Sequence, residues 1–207
     1  MLSWLFSDPL PVGYGRRLLM RLVDHFCMDD VPELHYFTVY EGLPSDAENI
    51  IHRNTLDQLR NKKRRVESID EIWFLGLGSE AIFRSRELYL CHLSEMRKRQ
   101  PEAVFRYIPH RNESADLIQA VQATSGMKPL LTDSPIELYL MRQKYTPRAV
   151  ASFISSALYT IGVLFPFEID VVSWRMDFNH VNRRYHRQFS DIYQYYGQAS
   201  FIRTVVI

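Results

Sequence analysis

The feature that most constrains this chain is a repeated change of hydrophobic period. Short runs rich in β-branched and aromatic residues alternate with stretches of helical spacing. The runs are HYFTVY (35–40), IWFLGLG (72–78), AVFRYIP (103–109), a short one near 127–131, AVASFIS (149–155) and FEIDVVSW (167–174). Helical stretches fall at about 85–99, at 114–124, after Asp133-Ser134-Pro135, over SALYTIGVL, and at about 180–196. Strands alternating with helices of this length build βαβ units, because parallel neighbours need a crossover long enough to hold a helix. The expected fold is therefore α/β, a Rossmann-like, mainly parallel sheet flanked by helices.

The segment before the second run reads differently. Residues 14–28 place Leu18, Leu19, Leu22, Val23 and Phe26 on one helical face, with Arg16, Arg17 and Arg21 elsewhere. From Asn49 to Arg65 the chain is polar, helical at best, and ends on Lys62-Lys63-Arg64-Arg65. That run reads as a solvated face, or as a patch for anions or acidic lipid.

Composition narrows the partners. The 207 residues carry a formal charge of +1, which supplies no bulk attraction to nucleic acid. Two cysteines, Cys27 and Cys91, make neither a disulfide framework nor a CxxC metal motif. No apolar stretch approaches the roughly 18 residues of a membrane-spanning helix, and MLSWLF is too short for a signal peptide. Arg outnumbers Lys, 20 to five, which favours planar bidentate contact with phosphate or carboxylate. A cytoplasmic protein is expected, with no bound metal.

In parallel α/β sheets, ligands sit beyond the carboxyl ends of the strands, so the loops after the strands carry the argument. Tyr40-Glu41-Gly42 offers a carboxylate at a strand end, read as a general base or as an ordinary surface turn. Gly76-Leu77-Gly78 permits close backbone approach but is not a dinucleotide fingerprint. His110 and Arg111 follow a strand and precede a helix, a setting suited to a phosphate, though a backbone-bonded loop histidine has the same sequence. Glu137 opens a helix just after Pro135, where it either complements the helix dipole or grips a diol. Ser155 and Ser156, between a strand and a helix, suit either phosphate binding or helix capping. His25 and His92 read as structural, while His52, His180 and His186 are expected at the surface. The aromatics Tyr185, Phe189, Tyr193 and Tyr196 have the spacing of a packing face.

Taken in order, these loops resemble the motifs of the bacterial sialyltransferases and polysialyltransferases of surface glycans. Tyr40-Glu41-Gly42 is similar to their acidic-glycine motif, and Tyr107-Ile108-Pro109-His110 to their His-Pro motif. Ser134-Pro135-Ile136-Glu137 matches their Pro-x-Glu helix start, and Ser152-Phe153-Ile154-Ser155-Ser156 their paired serines. The resemblance runs over about 35–172 and is clearest over 103–160. It implies a GT-B architecture, CMP-sialic acid as donor substrate, a cell-surface glycan acceptor, inversion, and no metal or other cofactor. By the same resemblance Glu41 would be the base and His110 would assist departure of the phosphate. His110, Ser155 and Ser156 would bind the phosphate and Glu137 the ribose; Gly76 and Arg111 join them as donor-binding candidates on their loop positions alone.

Three positions depart from the family pattern. Tyr40 stands where the family has an acid, Arg111 stands where it has proline, and the acidic motif lies only 40 residues from the start. The expected organisation is thus a remnant of the acceptor domain over 1–45 and a CMP-sugar-binding domain over 46–207. A second copy or a partner chain would supply the missing part, with peripheral contact at the inner membrane face. Two alternatives stand beside this reading. One is a nucleotide-sugar-binding module without transferase activity; the other is a GT-B transferase using another nucleotide sugar.

Overall fold

The computed structural model describes residues 34–42, 49–62, 67–77 and 80–206. The helix expected over 14–28, with His25 and Cys27, and Lys63-Arg64-Arg65 of the basic run lie outside the described residues. The chain divides into two compact units, Met1–Thr55 and Leu56–Ile207.

In the first unit, β1 (Leu34–Thr38) pairs in parallel with β2 (Asn49–Arg53), so that Phe37 lies opposite His52. This corrects the reading of 49–53 as helical at best. Ile50 and Ile51 supply β-branched positions, and the rings of Phe37 and His52 stack at 4.8 Å, a cross-strand contact that no local pattern announces. His52, expected at the surface, is half-buried and hydrogen-bonded to His35 at 2.7 Å.

The second unit opens with α1 (Asp57–Lys62), which buries no residue. Then come β3 (Glu67–Leu75), α2 (Arg86–Lys98), β4 (Val104–Ile108), α3 (Ala115–Ser125), β5 (Lys128–Pro129) and α4 (Ile136–Arg142). The second half holds β6 (Tyr145–Ser152), α5 (Ser156–Leu164), β7 (Asp170–Arg175), α6 (His186–Gln198) and β8 (Ile202–Val206). The six strands form one sheet, all neighbours parallel, in the order β5-β4-β3-β6-β7-β8. Counted along the unit, that is 3-2-1-4-5-6, the Rossmann-like order, and it reverses between β3 and β6.

Both faces of the central strands are covered, as parallel sheets require. Successive residues of β3 show it: Phe74 packs on Tyr107 and Phe153 towards one face, while Trp73 meets Tyr139 of α4 on the other. Burial along β3 rises from its exposed start to Ile72–Leu75, so the core is thickest towards the carboxyl ends. No helix among the described residues is long and apolar enough to cross a membrane.

Several boundaries differ from those expected. β3 and β6 begin earlier than the apolar runs because their polar first halves still pair, Glu67 with Tyr145 and Ser68 with Thr146. At α4, Pro135 itself takes the cap position and Ser134 Oγ turns to Asp133, so neither Ser134 nor Asp133 caps the helix. The last helix starts six residues late. A single-turn helix at Arg183–Tyr185 precedes it, because Val181 bridges Phe83 and the Asn182 amide donates to the carbonyls of Ala81 and Phe83.

Candidate functional site

The site is the carboxyl edge of the sheet around the β3/β6 reversal. The Gly76 N–H donates to the Ile108 carbonyl (2.9 Å) and carries the β3–β4 ladder one residue past the strand. Ser152 Oγ donates to Leu75 O (2.9 Å), tying the last residue of β6 to the last of β3. Ser173 Oγ, also buried, donates to Phe153 O (2.9 Å). These serines satisfy carbonyls where the ladder ends, which fixes the strand ends that carry the loops.

Gly76 is buried, and a methyl group there would overlap the Glu113 carboxylate and the Tyr107 hydroxyl. Its missing side chain thus admits Glu113. Tyr107 donates to Glu113 Oε2 at 2.8 Å, and the Tyr89 hydroxyl lies 2.8 Å from that of Tyr107. Since Tyr107 gives its one proton to Glu113, Tyr89 must donate to Tyr107. Burial is the main reason the Tyr107 hydroxyl is pushed far above its ordinary pKa, with Tyr89 and Glu113 adding to it, so it stays protonated as a donor.

His110 and Glu113 close one turn, Glu113 N–H donating to His110 O at 2.9 Å. His110 Nδ1 accepts from Asn112 N–H (3.2 Å), which leaves the neutral ring its proton on Nε2. Partial burial and then the neighbouring Arg111 guanidinium lower the His110 pKa, so the neutral donor form is favoured. Ser114 caps α3 by accepting from Leu117 N–H at 3.2 Å.

Ser155 caps α5, its Oγ accepting from Ala157 N–H at 3.3 Å. The Tyr196 hydroxyl donates to Ser155 O (2.7 Å) and accepts from Ser155 N–H (3.3 Å), so α6 holds this serine in place. Capping uses a lone pair of Ser155 Oγ; its hydroxyl proton is still a donor. Ser156, the first residue of α5, is exposed. Glu137 is half-buried in the first turn of α4.

Of the residues singled out from sequence, Gly76, His110 and Arg111, and Ser155 and Ser156 follow β3, β4 and β6 at this edge. Glu137 opens the helix after β5. Glu41 belongs to the first unit, where it is exposed and ion-paired with Arg53. Among the described residues, no group of three or more His, Cys, Asp or Glu is placed to hold a metal ion.

Sequence reasoning gave no hydrogen-bonding role to Tyr89, to Tyr107 and Glu113 of the His110 loop, or to Tyr196, read only as packing; those roles depend on partners 6 to 41 residues away. Tyr89 alone carried no local signal. His180 and His186 also differ from the surface placement expected. The His180 ring meets His92 edge-on at 5.1 Å, and His186 Nε2 is hydrogen-bonded to Val181 O at 3.0 Å. His92 is structural, as read, and Phe189, Tyr193 and Tyr196 are buried as a packing face.

Compared with known proteins, the chain matches no protein-family model and no curated protein.

Proposed function

We propose that the Leu56–Ile207 unit binds a nucleotide sugar, and that the chain is a metal-independent, sialyltransferase-like GT-B glycosyltransferase taking sialic acid from CMP-sialic acid. The observation that carries this reading is topological. Two of the loops in the resemblance follow β4 and β6 and, with the Gly76 loop after β3, stand at the reversal of a 3-2-1-4-5-6 parallel sheet where nucleotides are commonly held. When an acceptor hydroxyl displaces CMP, its oxygen bonds to the anomeric carbon and the bond to the phosphate oxygen breaks. Charge then grows on that phosphate, and the Nε2–H of His110, the Arg111 guanidinium and the Ser155 and Ser156 hydroxyls are donors suited to it. The proton of the acceptor goes to a base, a role assigned to Glu41 by the resemblance alone.

A second reading, a nucleotide-sugar-binding module without transfer, is favoured by one observation. The Glu41 carboxylate is engaged by Arg53, and Tyr40 supplies no second acid beside it.

Calorimetric titration with CMP, against UMP and UDP, tests the site. Micromolar to low-millimolar CMP binding with weaker uridine nucleotides is expected, and His110→Ala should weaken it by about 1.5–3 kcal/mol, as for loss of a hydrogen bond to a charged group. No binding by the intact chain, or unchanged affinity in the variant, would sink the assignment. Incubation with CMP-sialic acid and a glycan acceptor then separates transferase from module by whether product forms.

A further inference from the structure

We propose that residues 81–84 and 177–182 form a clasp over the end of β6, and that the clasp opens when His92 takes up a proton. The inference stands apart from the nucleotide reading.

The closed form is held on two sides. Asp177-Phe178-Asn179-His180 is a tight turn: His180 N–H donates to Asp177 O at 2.9 Å, and Asn179 N–H to Asp177 Oδ1 at 2.8 Å. The residues after it are clipped to the segment before α2. Arg84 N–H donates to His180 O and Asn182 N–H to Ile82 O, both at 2.9 Å, and Val181 bridges Phe83. Towards α2 the turn is tied through Asp177 N–H, which donates to His92 Nε2 at 3.3 Å. Phe83 and His92 both meet the buried Phe153 ring edge-on, at 5.9 and 6.0 Å. Phe153 lies between β6 and Ser155, so the clasp covers the base of the serine loop.

Two features make this arrangement conditional on charge. Only a neutral His92 can accept from Asp177 N–H, because its Nδ1, 2.9 Å from Leu88 O, is already the donor. A proton added at Nε2 needs an acceptor, and the turn itself holds one in the Asp177 carboxylate. Bringing that carboxylate to the charged ring gives up its bond to Asn179 N–H, which shapes the turn. Burial weighs most against a charged ring, and His180, edge-on at 5.1 Å, adds to it; the bond to Leu88 and the carboxylates of Glu95 on α2 and Asp177 on the turn favour the charge. The second feature is His180 Nδ1, which is buried in the closed form without a hydrogen-bond partner. Opening gives that nitrogen water, so the closed clasp carries a cost that release relieves.

Native-state hydrogen exchange tests this on the intact chain at pH 7.5 and pH 5.5, corrected for intrinsic exchange, with and without low urea. The amides to follow are those of Arg84, His180 and Asn182. A ring kept neutral when closed and titrating near about 6.5 when open should raise the opening constant roughly tenfold at the lower pH. The opening should be insensitive to urea, as local openings are. His92→Gln should hold the rise to about twofold or less. Exchange that does not change with pH, an equal rise in the Gln variant, or opening that follows urea together with the Val150 amide of β6 would each overturn the proposal. Should His92→Gln fail to fold, nitrogen NMR of the His92 ring in the intact chain decides. A ring still neutral at pH 5.5 while the three amides open supports the clasp; a ring that charges while they stay protected overturns it.

Discussion

His92 is buried to 1% exposure, and both ring nitrogens are used. Nδ1 lies 2.9 Å from Leu88 O and must donate; Nε2 accepts from Asp177 N–H at 3.3 Å. Only the neutral ring satisfies both, and protonation would set an N–H against the Asp177 N–H. Burial, chiefly, lowers the His92 pKa below 6.5; nearby His180 adds to this, while the bond to Leu88 and the charges of Glu95 and Asp177 oppose it. A histidine kept neutral by the fold favours proton uptake in the unfolded chain, so its share of stability is present above pH 6.5 and is lost as pH falls from there through the lowered value. Urea unfolding at pH 7.5 and pH 5.5 should therefore show a loss at the lower pH that His92→Gln reduces. His92→Ala should cost roughly 2–4 kcal/mol at pH 7.5, from the cavity and the orphaned Asp177 N–H. A pH profile that is the same in intact protein and Gln variant would count against this linkage.

At the scale of elements, α5 and the turn before β8 approach closely at one point. A methyl group at Gly162 would run into the Phe201 ring, which packs edge-on against Tyr159 at 5.0 Å. Alanine gains about 1 kcal/mol of helix propensity over glycine, but forcing an extra carbon into packed space costs typically 1–3 kcal/mol. Gly162→Ala should be net destabilising by about 1 kcal/mol in denaturant unfolding, and pairing it with Phe201→Ala should turn the alanine into a gain. A stabilised single variant would show that the ring simply moves aside. The same elements show what sequence can reveal. Buried strands such as Ile72–Leu75 and Val171–Trp174 announce themselves as apolar runs, the second interrupted only by Ser173, and α2 and α3 by Ser85 and Ser114 at their caps. Ile202–Val206 has neither alternation nor an unbroken run; it is a strand because β7 offers it an edge. The start of α6 was illegible for a related reason, since Asn182 is held by carbonyls about a hundred residues earlier. At the site, loop chemistry identified His110, Ser155 and Ser156, but a hydrogen-bonded chain such as Tyr89–Tyr107–Glu113 exists only once α2 and β4 are folded together.

For the whole molecule, the division at Thr55/Leu56 leaves the complete six-stranded sheet in one piece, ten residues past the 45/46 boundary that the resemblance implies. A sheet covered on both faces and built from its own crossovers has the makings of an independent folding unit. Residues 56–207 produced alone should unfold in a single cooperative transition and bind CMP within about threefold of the intact chain, a change under 1 kcal/mol. Circular dichroism melts and the same titration check this, and a broad, non-cooperative melt would show that the first unit is required. The strand order also sets a timetable for synthesis. β3, β4 and β5 can pair with one another as they emerge, but the middle of the sheet is finished only when β6 arrives from residues 145–152. The Phe83–Val181 bridge waits for a further stretch of chain. A nascent chain stalled between these points would present the inner edge of β3 unpaired, with Trp73 and Phe74 uncovered on that side. Such an edge is a template for other strands. A ribosome pausing near residue 140 should thus be where this protein most needs a chaperone.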